Sequence, residues 1–374
     1  MPAISRRRLL PTNPKYQQIF DQLSQDILSG KYAAGERMPS EATLVRQLGA
    51  SRITVGRAVR ELKERGLVER IAGSGTYVRK LKDAKATEMF GLLIPDLGTT
   101  EIFDPICQGM AGAPEAVRYA LLWGNAKTKS DSKEEQSLAL ARQYVERHVA
   151  GIFFAPLELT PRKDEVNMSI IQMFERARIP VVLLDRCLMP FPRRSRHDLV
   201  GIDNRRAGYL ITEHLLNLGA RRIVFVAHPN ATATVQARIT GFAEAIIGNG
   251  LPFHADFVRR IDLDDEAAVR DVVRHANADA IIGVNDRTAG RIMQTALQLG
   301  MQVPRDLRIA GIDDVEYAKL LPVPLTTIRQ PCRDIGRAAM TAMIERMAHP
   351  EMLPRDIYVD CKLIVRDSCG APKA

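Results

Sequence analysis

From residue 88 onward, short apolar runs of strand length alternate with amphipathic stretches for about 280 residues. The runs at residues 91–95, 151–155, 181–185, 223–227, 280–284 and 307–312 hold few polar positions, as strands buried on both faces do. The stretches 204–218, 235–247 and 288–299 repeat apolar residues at helical spacing. Such alternation predicts parallel sheets with helices on both faces. The length exceeds one typical sheet, so two lobes with a ligand cleft between them are expected.

The first quarter has another texture. Ser40 reads as an N-cap after Pro39, and Gly49 as the stop of a helix of about two turns. Ser51 then caps a longer helix beginning at Arg52. Two helices joined by a three-residue turn that holds a glycine form the helix-turn-helix that reads DNA. Upstream, Ile19, Leu23 and Ile27 make one apolar stripe on a supporting helix ended by Gly30. Downstream, residues 67–71 and 76–79 flank Ala72-Gly-Ser-Gly75 and predict a β-hairpin, placed as a wing.

Within the second helix of the motif, Val55, Val59 and Leu62 share the core-facing side, while Ile53, Arg57 and Arg60 point away. Ser51, Arg52 and Thr54 occupy its first turn, where free backbone N–H groups and the positive dipole end suit a phosphate or a base edge. Charge agrees with a DNA partner. Residues 1–87 hold 17 Lys and Arg against 8 Asp and Glu, and the other 287 residues hold 36 of each. The whole excess of +9 therefore lies beside the motif, where phosphates attract it without regard to sequence. Residues 1–13, with Arg6, Arg7 and Arg8, are either a tail or an arm for the minor groove.

Other chemistries find no footing in the sequence. Only Leu9 and Leu10 follow the arginines before Pro11, which is no signal-peptide core, and no apolar run approaches the ~18 residues of a membrane span. A cytoplasmic protein is expected. The five cysteines show no CxxC pair and read as reduced thiols, and the seven histidines lack ligand spacing, so neither a metal nor another cofactor is expected. Gly73-Ser-Gly-Thr76 lacks the GK[ST] of a phosphate loop, and no nucleophile–base constellation suggests an enzyme.

The segments Gly35-Glu-Arg-Met-Pro-Ser-Glu41, Ser51-Arg-Ile-Thr-Val55, Glu64-Arg-Gly-Leu-Val68 and Gly73-Ser-Gly-Thr-Tyr-Val78 resemble the GntR family of bacterial transcription regulators. The resemblance covers about 65 residues and implies DNA-facing roles for Ser51, Arg52, Thr54 and Gly75. Ser40, Ile53, Arg57 and Gly73 complete the expected DNA-contacting set. Family members often carry arginine where this chain has Ala42 and Gly56, so its operator should depart from the best-known consensus.

Polar residues gather at the ends of the predicted strands of the large region: Asp185-Arg186, Asp203-Asn204, Asn285-Asp286 and Asp313-Asp314. Open α/β sheets bind ligands at strand carboxyl ends, and carboxylates there suit adjacent hydroxyls. The competing reading of Asp203, Asp286 and Asp314 is a helix N-cap, with Asp314 the clearest case. The motifs Ile179-Pro-Val-Val-Leu-Leu-Asp-Arg186, Val200-Gly-Ile-Asp-Asn204, Gly311-Ile-Asp-Asp314 and Pro324-Leu-Thr-Thr-Ile-Arg-Gln330 resemble the effector domain of the LacI/GalR family. That resemblance spans most of residues 88–369 and implies ligand contacts at Asp185, Arg238, Asn285 and Asp313. Arg186 and Asp286 join them as neighbours, and Phe103 and Asp104 map near the family's first-loop pocket. Pro114 should kink or end a helix that is usually uninterrupted.

The expected fold is α/β and multidomain: a winged helix-turn-helix (residues 14–79), a linker (80–87) and a two-lobed, periplasmic-binding-protein-like α/β domain (88–370). The expected function is a DNA-binding transcription regulator, a repressor and homodimer, relieved by a small molecule bound in the cleft. A sugar leads as that effector, with a purine or phosphorylated sugar left open. The alternative is a sugar-binding protein of transport type.

Overall fold

The computed structural model describes residues 15–28, 31–32, 35–64, 67–71, 74–78, 88–95, 97, 101–124, 132–275 and 277–372. The expectations for the arm at 1–13, the linker at 80–87, Gly30 and Gly73 lie outside them. The chain forms two compact units, Met1–Ala86 and Thr87–Ala374.

The first unit has α1 (Lys15–Leu28), α2 (Glu41–Leu48), α3 (Arg52–Glu64), β1 (Val68–Ile71) and β2 (Gly75–Val78). Ser40 caps α2, its Oγ accepting the Thr43 N–H at 3.2 Å, and Gly49 ends the helix with φ of 56°. Ser51 does the same for α3 through the Thr54 N–H at 3.2 Å. Ile19 and Leu23 of α1 pack with Val55, Val59 and Leu62 of α3, and Ile27 is only half-buried. β1 and β2 pair antiparallel with Ile71 opposite Gly75, which is the hairpin expected of a wing.

In the second unit the chain runs β3 (Glu88–Leu93), α4 (Phe103–Ala111), β4 (Tyr119–Trp123), α5 (Lys133–Glu146), β5 (Gly151–Phe154), α6 (Lys163–Arg176), β6 (Val181–Leu184) and β7 (Asp198–Gly201). It crosses into α7 (Asn204–Asn217), then β8 (Ile223–Ala227), α8 (Ala233–Gly248), β9 (Val258–Arg260), α9 (Glu266–His275), β10 (Ala280–Gly283), α10 (Asp286–Gln298), β11 (Arg308–Asp313) and β12 (Thr326–Arg329). α11 (Cys332–Ala348) and β13 (Asp356–Tyr358) return to the first lobe, and β14 (Lys362–Ile364) closes the second. The sheets run β4-β3-β5-β6-β7-β13 and β9-β8-β10-β11-β12-β14. All pairings are parallel except β12 with β14, the one departure from the expected parallel sheets. As Pro114 predicted, α4 stops at Ala111 and a 3₁₀ turn follows.

The two lobes repeat one plan down to their helix crossings. A Cβ on Gly109 of α4 would lie 2.1 Å from the Arg333 carbonyl oxygen, and one on Gly336 of α11 would lie 2.0 Å from that of Ile106. In the other lobe a Cβ on Gly241 of α8 would meet the Arg205 oxygen at 1.8 Å, and one on Gly208 of α7 the Arg238 oxygen at 2.0 Å. Each glycine sits three residues after the carbonyl that its partner glycine faces. Only hydrogen fits at such backbone contacts. α7 follows the first lobe's strands yet packs in the second lobe, and α11 makes the reverse crossing. The exchange brings both sets of strand ends to one cleft.

Candidate functional site

On the side expected to read DNA, α3 turns Arg52, Ile53, Arg57 and Arg60 to solvent, with Ile53 86% exposed. An exposed isoleucine there can meet a thymine methyl, and arginine can grip guanine. The hydroxyls of Ser51 and Thr54 lie 2.7 Å apart, and those of Ser40 and Thr43 2.8 Å apart, so each serine builds its helix start first. Gly75 has φ of 134°, and a Cβ there would stand 2.7 Å from Nε of Arg37. Its conformation therefore favours glycine, while the exposed Arg37 side chain could swing aside. Arg37 and Tyr16, whose ring lies under the Arg57 guanidinium at 3.8 Å, were not singled out by the sequence.

Within the second unit, a cavity of about 420 Å³ lies between the lobes, walled in part by Asp185, Arg186, Arg238, Asn285 and Asp313. Asp185 follows β6 with φ of 61°, and Asp313 ends β11 with φ of 130°. These are the fourth strands of the two equivalent sheet orders, so matching acids enter the cleft from both lobes. Strained φ of this kind gathers at ligand sites, where the surrounding structure holds it.

The two cleft arginines are already engaged. Arg186 donates to the Pro156 carbonyl at 3.1 Å, pairs with Glu158, and lies 5.2 Å over the Phe103 ring. Arg238 donates to Asn204 Oδ1 and to the Val284 carbonyl, both at 2.7 Å, and approaches Asp313 at 3.7 Å. Gln330 donates to Asp313 Oδ1 at 2.8 Å. On the cavity wall Asp185 Oδ1 is buried without a hydrogen-bond partner, and so is Oε1 of Gln330, the residue bonded to Asp313. Burial pushes the Asp313 carboxyl up to about 8; Arg238 and Gln330 oppose that rise, while Asp286 and Asp185 add to it.

Three expected contacts sit elsewhere. Asp286 is fully buried behind the wall, accepting from Thr327 Oγ1 at 2.5 Å and Val315 N–H at 3.0 Å, and burial lifts its carboxyl to about 6. Phe103 is also fully buried, beneath Arg186 rather than on the wall, and Asp104 is exposed on the first turn of α4. The cap of α10 is Asn285, whose Oδ1 accepts the Thr288 N–H at 2.9 Å; this leaves its amide nitrogen for the cleft. Asp203 does cap α7. Asp314 caps nothing, because Arg329 at 2.6 Å and Arg366 take its carboxylate.

The lobes also touch across the cleft. Leu159 N–H donates to the Asn230 carbonyl at 3.1 Å, and Thr234 Oγ1 accepts the Cys187 N–H at 3.3 Å. Neither contact had a sequence signal, since each joins distant segments of different lobes. All five cysteines are unpaired. No helix of the described residues is long and apolar enough to cross a membrane.

Residues 15–78 match the profile of bacterial regulatory proteins of the gntR family, and residues 212–369 that of the periplasmic binding protein-like domain. The chain joins a GntR-type DNA-binding head to a periplasmic-binding-protein-like body. It is 28% identical over 373 residues to the arabinose metabolism transcriptional repressor of Geobacillus stearothermophilus, covering 96% of this chain and 98% of that one. It is 26% identical over 291 residues to the ribose operon repressor of Halalkalibacterium halodurans, covering 76% and 80%. A LacI family transcriptional regulator from Enterococcus faecium, solved with bound ribose, shares its fold with a TM-score of 0.60 at 22% identity, over 75% of this chain and 98% of that one. These relatives are regulators rather than enzymes. With its GntR-type head, this chain is a transcription regulator, and a purely transport role is set aside.

Proposed function

We propose that the chain represses transcription as a cytoplasmic homodimer, and that a neutral sugar in the cleft weakens its grip on an operator. Domain limits of 14–79 for the head and 88–370 for the body, joined by 80–87, go with this reading. Two copies of α3 would enter successive major grooves of a near-palindromic site. Ser51, Arg52, Ile53, Thr54 and Arg57 would meet the DNA from α3, Ser40 from the start of α2, and Gly73 and Gly75 from the wing.

The observation that carries the effector reading is the orphaned buried acceptor Asp185 Oδ1, on a residue of the cavity wall. A buried acceptor without a partner costs about 1–3 kcal/mol, so the ligand should bring a donor to it, as a sugar hydroxyl does. Charge points away from a phosphorylated ligand. Asp313 apart, whose raised carboxyl keeps its proton at neutral pH, the wall holds Glu101, Glu158, Asp185, Asp262 and Asp264 against Lys133, Arg186, Arg238 and Arg287. Arg186 and Arg238, the two arginines deepest in the cleft, already serve protein acceptors. The arabinose and ribose repressors among the relatives support the same class. Asp185, Arg186, Arg238, Asn285 and Asp313 would hold the ligand. Phe103 and Asp286 would act from behind, supporting Arg186 and the β11 loop.

Effector coupling of this kind typically changes operator affinity 5- to 150-fold. Binding to a promoter fragment from beside its own gene, at two salt concentrations and with a panel of pentoses and hexoses, tests the reading. Salt-dependent binding that one sugar weakens supports it. Binding that no sugar alters, but a sugar phosphate does, would overturn the neutral-ligand assignment.

A further inference from the structure

Tyr16 stands on the first turn of α1, a helix whose buried residues, Ile19, Phe20 and Leu23, are apolar core. Its half-buried ring carries the Arg57 guanidinium 3.8 Å from the ring centroid. Among the described residues, Arg57 makes no hydrogen bond and no ion pair; the ring is its one specific partner. Arg57 belongs to the exposed side of α3 with Ile53 and Arg60. The position before it is Gly56, where a Cβ would meet nothing nearer than Glu41 Oε2 at 3.8 Å, so no side chain shares the space.

We propose that Tyr16 is a positioning residue for DNA recognition, its ring holding Arg57 ready to read a base. The geometry of stacking gives the reason. An ion pair would occupy the N–H edge of the guanidinium, whereas an aromatic face engages only its flat side and leaves the in-plane fork free. Reading guanine O6 and N7 requires that fork in a fixed plane; a phosphate contact does not. A free arginine must also lose rotamer freedom on binding, and the ring removes part of that loss beforehand. One oriented arginine at 57 thus serves a helix that is bare at 56.

The inference rests on α3 reading DNA, and its test separates the two. The full-length protein is compared on the promoter fragment it binds and on a scrambled duplex of equal length. Wild type that binds both duplexes equally would remove the recognition reading itself. Given discrimination by wild type, Tyr16→Phe keeps the ring face and should match it. Tyr16→Leu keeps apolar bulk without the ring and should lower the ratio of specific to non-specific affinity roughly two- to tenfold. Arg57→Ala should lower that ratio at least as far, and adding Tyr16→Leu to Arg57→Ala should cost nothing more. Amide exchange in α3 would show that each variant is folded. The proposal falls if Tyr16→Leu discriminates as wild type does, if the two changes add, or if Tyr16→Phe does as much harm as Tyr16→Leu, which would assign the role to the hydroxyl.

Discussion

Gly56 offers a quantitative test of how the recognition helix is built. It lies inside α3 at an ordinary helical φ, and a Cβ there would meet only Glu41 Oε2, at the normal contact distance of 3.8 Å. Alanine therefore brings no steric cost and removes the excess backbone entropy of glycine, stabilising the head by roughly 0.5–1 kcal/mol. Gly49 should respond with the opposite sign. Nothing lies within 4 Å of its Cβ position, but its φ is +56°. Alanine there should cost about 1 kcal/mol, because a left-handed backbone crowds any Cβ. Native-state hydrogen exchange at the buried Val59 and Leu62 amides of the full chain reads both changes. Gly56→Ala should slow exchange roughly two- to fivefold, and Gly49→Ala should speed it by about fivefold. Faster exchange in Gly56→Ala would mean that the helix needs glycine at 56 for a reason these contacts do not supply.

Gly56→Arg separates backbone from charge. Arginine has nearly the helix propensity of alanine, so the stability gain should persist. A guanidinium at this position that reaches a phosphate should steepen the fall of log affinity with log salt by about 0.9, whereas alanine leaves the slope unchanged. Glu41 is the nearest competitor for that charge, and it already faces Arg70 at 3.8 Å. An unchanged slope in Gly56→Arg, with the stability gain intact, would refute the placement of this flank of α3 against the DNA backbone.

The cleft yields two further expectations. Asp313 titrates near 8 in the folded protein against an ordinary value of 3.8, so the native state holds a proton that the unfolded chain has released. Its contribution to stability therefore falls as pH rises from about 4 to about 8 and then levels off. Asp313→Asn should remove that loss: in denaturant melts at pH 5, 7 and 9, its stability relative to wild type should climb with pH, by a few kcal/mol at most, roughly. A constant offset would refute the assignment. Gly208→Ala would drive a methyl against the Arg238 carbonyl oxygen, 2.0 Å from the Cβ position, and neither backbone can yield without parting α7 from α8. A loss of at least ~1–3 kcal/mol in thermal melts is expected, with sugar binding weakened because Arg238 moves with its helix. An unperturbed melt would show that the crossing is looser than drawn.

Two kinds of information were readable from the chain, and a third was not. Periodicity gave the strands, because residues 181–184 or 280–284 must be apolar throughout to lie between two helical layers. Local backbone chemistry gave the head, because Ser40, Gly49 and Ser51 act within a turn of themselves. Strand-end logic found Asp185, Asn285 and Asp313, but it could not tell neighbours apart. Asn285 is still extended and faces the cleft; Asp286, the first helical residue of α10, turns back beneath β11 to hold Val315 and Thr327. One step along the chain thus exchanges a wall position for a buried support. Hidden altogether were features made by two distant segments. Nothing in the spacing of Gly109, Gly208, Gly241 and Gly336 shows that each faces a carbonyl of another helix.

The Tyr16 ring under Arg57 belongs to that hidden class, and so does the Leu159–Asn230 hydrogen bond between the lobes. Each joins residues far apart in the chain and on different elements. The helix crossings extend the same logic to the effector. Arg238 lies in the cleft on one side of α8, while its own carbonyl packs on Gly208 of α7 on the other. α7 begins where the chain first crosses between the lobes, capped by Asp203 and carrying Asn204, which accepts from Arg238. A ligand that shifted Arg238 would therefore act on the helix that begins where the chain first crosses between the lobes. That is one direct physical route by which a small molecule in this cleft would change how the two lobes sit on each other.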